Sequence, residues 1–308
     1  MIAARNAAGR KGTPRQGGRD APPFLRPEFE NTGIGAAQSV DVERELSLFE
    51  RIANINAVRK LSILVGLIVL WQLYTVLGNV EPLLFPTFGA TAQAIYDTTM
   101  TGEMVQKVWI SVQMLLVGYA AGLAFAALLL VFAVSTRIGS DFLGSMTAMF
   151  QPLPAIALLP LAMLWFGLGA PSLVFVIIHS VLWAVALSTH AGFLSVSPTL
   201  RMVGRNYGLQ GVPYIIKILA PAAFASILTG LKIGWAFAWR TLIAAELVFG
   251  AASGGGGLGW FIFANSENLE TANVFAGLFM VIVVGLIVEN VVFRRIEIGT
   301  IQKWGMTR

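Results

Sequence analysis

Three charged side chains stand inside one apolar run. Lys232, Arg240 and Glu246 fall within residues 222–250, a stretch otherwise dominated by Ala, Leu, Ile, Phe and Trp. A charge at the centre of a membrane helix costs roughly 2.5–3.5 kcal/mol on insertion scales, so such residues face a bundle interior or a watery path. Lys232 and Arg240 are eight residues apart, about 80° round a helix, and share one broad face. Glu246 lies six residues beyond Arg240, on another face, and does not pair with it along an ideal helix. Trp235 and Trp239 are four apart and share a face. The chemistry this suggests is escort rather than bond breaking: Arg240 would meet an anionic solute, with Lys232, Trp235, Trp239 and Glu246 as further candidates to line its path. A second reading stays open, in which Lys232 snorkels to the inner interface and Arg240 pairs with Glu289 or a backbone carbonyl.

Other reactive types are sparse. The only histidines, His179 and His190, lie in another apolar run and have no acidic partner at helical spacing. They read as hydrogen-bonding residues, with a proton-relay or ligand role as the lesser alternative. The absence of cysteine excludes disulfides and thiolate metal sites. The glycines at 254–257 are followed by Trp260 and Phe261 rather than by the Lys-Ser/Thr that a phosphate loop needs. They read as a flexible outer loop. No nucleophile–base arrangement stands out, so an intramembrane enzyme has no candidate constellation.

The elements that must position these residues are membrane helices. The chain is 56% hydrophobic and only 12% charged, against about 25% charged in soluble domains. Its mean hydropathy is +0.74, so lipid is the solvent that accommodates it. Apolar runs at 61–78, 106–135, 142–167, 171–195, 222–250 and 272–293 approach or exceed the roughly 20 residues that span a bilayer. Six spans is the expected count, with five or seven open. The third and fourth are joined by Gly-Leu-Gly-Ala-Pro at 167–171, a tight helical turn. Continuous rather than alternating runs exclude a β-barrel.

The net charge of +5 belongs to topology rather than to nucleic acid. Arg51, Arg59, Lys60, Arg137, Arg201, Arg205, Lys217, Arg294, Arg295, Lys303 and Arg308 cluster on one side. The opposite loops hold Glu81, Asp97, Glu103, Glu267 and Glu270, with Lys107 as the one boundary cation. Both termini are therefore expected inside. Residues 1–40 read as a disordered cytoplasmic tail, 41–60 as an amphipathic interfacial helix, 61–293 as the transmembrane domain and 294–308 as a cytoplasmic tail. The loop at 79–105 reads as a Pro-marked extended entry followed by a turn or two of amphipathic helix, there to receive a partner or to pack on the span ends.

The largest inward loop, 196–221, carries Arg201, Arg205, Gly208, Gly211, Pro213, Ile218 and Pro221. Gly208 suits a positive φ and ends a helix; Pro213 is tolerated in the first turn of the next; Pro221 falls near the start of span five. The segment reads as a helix–turn–helix elbow held outside the membrane, a docking surface.

The spacing Gly208, nine residues, Ile218, then Pro221 resembles the C-terminal part of the loop E-A-A-x3-G-x9-I-x-L-P that marks permease subunits of ABC importers. The surrounding SPTLRMVGRNYGLQGVPYIIKILAPAAFASILTGLKIGWAFAWRTLIAAELVFG is similar to the nitrate/taurine/alkanesulfonate class. So are QPLPAIALLPLAMLWFGLG at 151–169, GLGWFIFANSENLETANVFAGL at 257–278, LLFPTFGATAQAI at 83–95 and KWGM at 303–306. The likeness covers about residues 60–306. It departs where the family has Glu-Ala-Ala, here Met202, Val203 and Gly204, and at Ala220 in place of Leu. The missing glutamate is the one that seats the elbow in the ATPase cleft, and Arg201 and Arg205 are candidates to replace its contacts.

The resemblance implies an all-α membrane protein of about six transmembrane helices with a type I ABC importer-like permease fold. It implies no catalysis and no cofactor in this chain, with ATP and Mg bound by a partner ATPase. It further implies a permease homodimer, two cytoplasmic ATPase subunits docked on the 196–221 loop, an extracytoplasmic substrate-binding protein and a small, anionic nutrient. The alternative is an ion- or proton-coupled secondary transporter using the charges of span five and His179 or His190. Such proteins usually show paired repeats with broken helices, and no internal repeat is evident.

Overall fold

The computed structural model describes residues 55–249 and 256–303. The chain divides into a compact unit over residues 61–308 and a first unit over 1–60. Of the first unit only residues 55–60 are described, most of them as the opening of helix α1, so the expected tail and nearly all of the interfacial helix lie outside the described residues.

The described residues are all-α. Helix α1 (Asn56–Leu77) is followed by α2 (Phe88–Met100), α3 (Glu103–Ser135), α4 (Arg137–Phe150), α5 (Leu159–Phe166) and α6 (Ala170–Ser195). Then come α7 (Pro198–Asn206), α8 (Gly211–Ala222), α9 (Phe224–Phe249), α10 (Leu258–Glu267) and α11 (Thr271–Ile301). Helices α1, α3, α6 and α11 are each long and apolar enough to cross a membrane. The count reaches six if each of two sharply bent pairs, α4 with the α5 segment and α8 with α9, is taken as one crossing.

Helix α6 is the centre of the bundle, with α3 on one side and α9 on the other. Burial among apolar neighbours adds little in lipid, which is as apolar as leucine, so close backbone approach must supply the packing. Two Gly-x-x-x-Gly pairs do this. A Cβ on Gly118 or Gly122 of α3 would sit 2.6 Å from Ile177 Cγ2 or 2.7 Å from Val181 Cβ. On α9, a Cβ on Gly230 or Gly234 would sit 2.8 Å from Ser188 Cβ or 2.9 Å from Val185 Cγ2. Polar bonds add to the packing: Tyr119 Oη of α3 donates to Leu231 O of α9 at 2.9 Å, and Ser180 of α6 and Thr241 of α9 share a hydroxyl bond of 2.8 Å.

The third apolar run is not one straight helix. Helix α4 stops at Phe150, and the Ala155–Phe166 segment leaves at 89° to it. Pro152 and Pro154 are the cause, since neither has an N–H to donate to the helix ladder, and Pro154 itself is extended at φ −61°, ψ 120°. The hairpin that follows is closed by Gly167 at φ +75° and by Ser172 Oγ, which donates to Ala162 O at 3.0 Å and Gly167 O at 2.6 Å.

The loop at 79–105 holds more helix than a turn or two. Helix α2 has 13 residues, with Thr87 Oγ1 accepting from Ala90 N as its N-cap. It packs on the span ends: Trp71 Nε1 donates to Pro86 O at 3.0 Å, Thr271 Oγ1 to Leu83 O at 2.6 Å, and Phe85 meets Phe275 edge-on.

Candidate functional site: a mid-bundle cavity and a capped elbow

The break between α4 and α5 opens a cavity of about 340 Å³. Non-helical backbone inside an apolar run is tolerated where it is buried in protein or lines a watery space, and Gln151–Pro154 line this one. Helix α6 contributes His179 and Trp183, and α9 contributes Phe237, Arg240 and Thr241. Phe150 stacks on Trp183 with planes 10° apart and centroids at 5.2 Å, and it meets His179 edge-on.

Among the described residues, Arg240 is the only Lys, Arg, Asp or Glu lining the cavity. It does not pair with Glu289. Its Nε donates to Ala236 O at 3.1 Å, and its guanidinium carbon lies 5.0 Å from the centroid of the Phe237 ring. Both contacts are local to α9, so the guanidinium is held in place while no described carboxylate neutralises it.

The other four residues singled out with it go elsewhere. Lys232 Nζ sits 2.9 Å from Glu297 Oε2 and 3.4 Å from Glu289 Oε1, tying α9 to the C-terminal part of α11 instead of sharing a pathway face with Arg240. Trp235 and Trp239 do share a face, but it is turned into the bundle. Trp235 meets Tyr119 and Phe293 edge-on, and Trp239 Nε1 donates to Val281 O at 3.2 Å.

Glu246 is only 2% exposed and works as a borrowed cap for α10. Ser111 Oγ lies 2.8 Å from both carboxylate oxygens and itself accepts from Leu258 N at 2.8 Å, while Gly259 N donates to Oε2 at 2.8 Å. A carboxylate at the first turn of a helix satisfies orphan N–H groups and complements the helix dipole. Two of the glycines that sequence reading assigns to a flexible outer loop, Gly256 and Gly257, belong to this arrangement. Gly256 and Gly257 are buried, and a Cβ on Gly257 would collide with Glu246 and Ser111. Residues 250–255 lie outside the described residues.

The elbow at 196–221 is built from local rules. Ser197 Oγ accepts from Leu200 N, and Pro198 occupies the first turn of α7. The helix closes with Gly208 at φ +71°, where Gly208 N donates to Arg205 O at 2.9 Å and Leu209 N to Gly204 O at 3.1 Å. That pair of bonds is a Schellman motif, which a residue with a Cβ adopts only with strain. Gly211 opens α8 at φ +58°, with Pro213 in the first turn. Pro221 sits in the last turn of α8, three residues before the start of α9. The chain bends by 85° after it, and α9 starts at Phe224. A π-turn over Ile215–Leu219 precedes the proline and absorbs its missing N–H.

Met202 and Val203 are exposed on α7, Tyr207 at its C-terminal end, and Val212 and Ile216 on α8. Gly204 lets the two helices touch, since a Cβ there would lie 2.9 Å from both Ile218 and Tyr214. Arg205 stays exposed, but Arg201 turns inward. Its Nε donates to Val196 O at 3.1 Å and its Nη2 to Phe193 O, so it caps the C-terminal carbonyls of α6.

Sequence reasoning weighs His179 as a lesser candidate and passes over Trp183, because the cavity exists only through the Pro152–Pro154 break. His190 has a structural explanation, a 3.2 Å contact with Ser140 Oγ. Among the described residues no cluster of His, Asp and Glu is suited to hold a metal ion.

Residues 118–296, which include the cavity and the elbow, match the family described as binding-protein-dependent transport system inner membrane component. The chain is similar to the putative aliphatic sulfonates transport permease protein SsuC of Escherichia coli K12, with 27% identity over 225 residues, 73% of this chain and 84% of the relative. It is 28% identical to the taurine transport system permease protein TauC of the same organism over 233 residues, 72% of this chain and 82% of the relative. The nitrate import permease protein NrtB of Synechocystis is 29% identical over 184 residues, 60% of this chain and 66% of the relative.

Proposed function

Since the chain belongs to the family of inner-membrane components of binding-protein-dependent transport systems, whose match covers more than half of it, we propose that it imports a small anionic nutrient of the nitrate, taurine or alkanesulfonate type. It is a multi-pass inner-membrane permease subunit of the ABC-importer class and not an enzyme. In the proposed assembly two copies pair, both termini face the cytosol, and two separate ATPase subunits bind ATP and Mg and dock on the 196–221 elbow. An extracytoplasmic binding protein delivers the solute. The observation that carries the substrate reading is Arg240, a guanidinium on a mid-bundle cavity without a carboxylate partner among the described residues.

The mechanism follows from the elbow. ATP-driven closure of the partner ATPases moves α7. Arg201 bonds α7 to the end of α6, so the displacement passes into the central helix that carries His179 and Trp183. The Gly-x-x-x-Gly seams against α3 and α9 are tight enough to pass it on without loss into side-chain rearrangement.

The test is reconstitution of this chain with its ATPase and binding protein in proteoliposomes. Uptake of an organosulfonate or nitrate that needs ATP on the ATPase side and survives a protonophore supports the proposal. Uptake that survives ATP depletion and collapses with the protonophore identifies a secondary transporter instead.

A further inference from the structure

We infer that the cavity at the α4–α5 break is a selective station for small organic anions, in which His179 and Trp183 join Arg240 in holding an acidic head group while the walls hold a short apolar body. The inference deepens the reading of the chain as an anion permease and rests on it.

Four observations point this way. The ring nitrogens of His179 and the indole N–H of Trp183 are buried without a partner among the described residues, although both side chains line the cavity. Buried donors are satisfied in the great majority of native structures, and those that are not call for an explanation such as a ligand. Either neutral tautomer of the imidazole supplies one donor, and the indole supplies one donor and no acceptor. The Arg240 guanidinium and the Gln151 amide line the cavity, the His179 and Trp183 donors lie just behind its wall, and no carboxylate among the described residues lines it. That is a set for an acceptor-rich anionic group.

The donors are also held in place. Stacking on Phe150 fixes the Trp183 ring, and the Ala236 carbonyl together with the Phe237 ring fixes Arg240. A site whose donors are already oriented loses little entropy on binding.

Most of the remaining wall is apolar, with Phe150, Leu153, Ile156 and Phe237 the largest side chains; Gln151 and the mutually bonded hydroxyls of Ser180 and Thr241 are its other polar members. A bare inorganic oxyanion would give up its hydration against these surfaces without return. An anion carrying a few methylene groups would bury them there. The volume of about 340 Å³ is at the lower end of ligand sites, which run from about 300 to 1,000 Å³, so the body is short.

The experiment uses the purified complex of this chain with its ATPase subunits, in lipid nanodiscs without nucleotide or binding protein. Calorimetric titration compares butane-1-sulfonate, butyrate and nitrate. Butane-1-sulfonate and butyrate are expected to bind at least about tenfold more tightly than nitrate, and nitrate in excess to displace them poorly. Trp183→Phe keeps the ring stack and removes one donor, and His179→Phe removes the other. Each is expected to weaken butane-1-sulfonate about tenfold, the scale of one bond to a charged group. Ala244→Leu, which fills the cavity, is expected to abolish binding of all three.

Equal or tighter binding of nitrate by the unaltered complex overturns the inference, and so does unchanged affinity in Trp183→Phe and His179→Phe. The unaltered protein alone decides the first point, so a variant that fails to assemble does not rescue the idea. The same preparation, with binding protein added, reports ATP-dependent uptake. Uptake without anion preference in the cavity refutes this inference and leaves the permease reading intact. Preference without ATP-dependent uptake refutes the permease reading and leaves the station.

Discussion

Replacing Arg201 by Ala should separate ATP hydrolysis from transport. The guanidinium makes two charge-assisted bonds, from Nε to Val196 O at 3.1 Å and from Nη2 to Phe193 O. Bonds to a charged group contribute roughly 1.5–3 kcal/mol each when buried. Arg201 is only half-buried, so solvent competes and the pair is worth about 1–3 kcal/mol in total. Its charge at the C-terminus of α6 accounts for about 0.3–1 kcal/mol of that total. Loss of the anchor shifts the balance between attached and detached elbow by about 5- to 150-fold. The ATPase would still dock, because the exposed Met202, Val203 and Tyr207 are untouched. The assay is solute imported per ATP hydrolysed in proteoliposomes. Basal hydrolysis should persist while the ratio falls about fivefold or more. Arg201→Lys, with one ammonium in place of a fork, should recover part of the loss. An unchanged ratio in Arg201→Ala, in protein that inserts normally, would refute the lever.

Three further outcomes follow from the packing. Glu246→Ala strands the Gly259 N–H and the Ser111 hydroxyl in a buried site and should lower stability by about 2–4 kcal/mol, read as an earlier thermal unfolding transition in detergent. Gly122→Val forces Cγ atoms into Val181 and should separate α3 from α6, read as loss of a monodisperse complex, whereas Gly66→Val, with open space around it, should be silent. Lys232→Ala should cost no more than about 1 kcal/mol, because Glu289 and Glu297 keep substantial solvent contact; thermal scans of the single variant check this.

What the sequence disclosed was local. Gly208 needs only its own φ and the two bonds around it, so the elbow could be read from spacing. The long apolar helices follow from composition, because lipid imposes one rule on every spanning segment. What escaped was non-local or hidden by an average. Apolar counting over 142–167 conceals Pro152 and Pro154, and with them the bend and the cavity. Arg201 reads as a docking contact for the ATPase and Glu246 as a path-lining charge, yet each caps a helix end that only the fold brings to it. The α9 tryptophans share a face, as spacing requires, but spacing does not say whether that face meets a path or the bundle. His179 and Trp183 acquire meaning only once the break places them on one cavity with Arg240.

The central claim is that the α7–α8 elbow lies in the cytosol and engages an ATPase. The chain has no cysteine, so Met202→Cys introduces a single reactive thiol on the exposed face of α7. A membrane-impermeant maleimide should label it in inverted vesicles and not in intact cells, and a short bifunctional reagent should join it to the ATPase subunit with a yield that changes on ATP addition. Labelling from the outside of intact cells, or no ATPase adduct from a complex that hydrolyses ATP, would contradict the account.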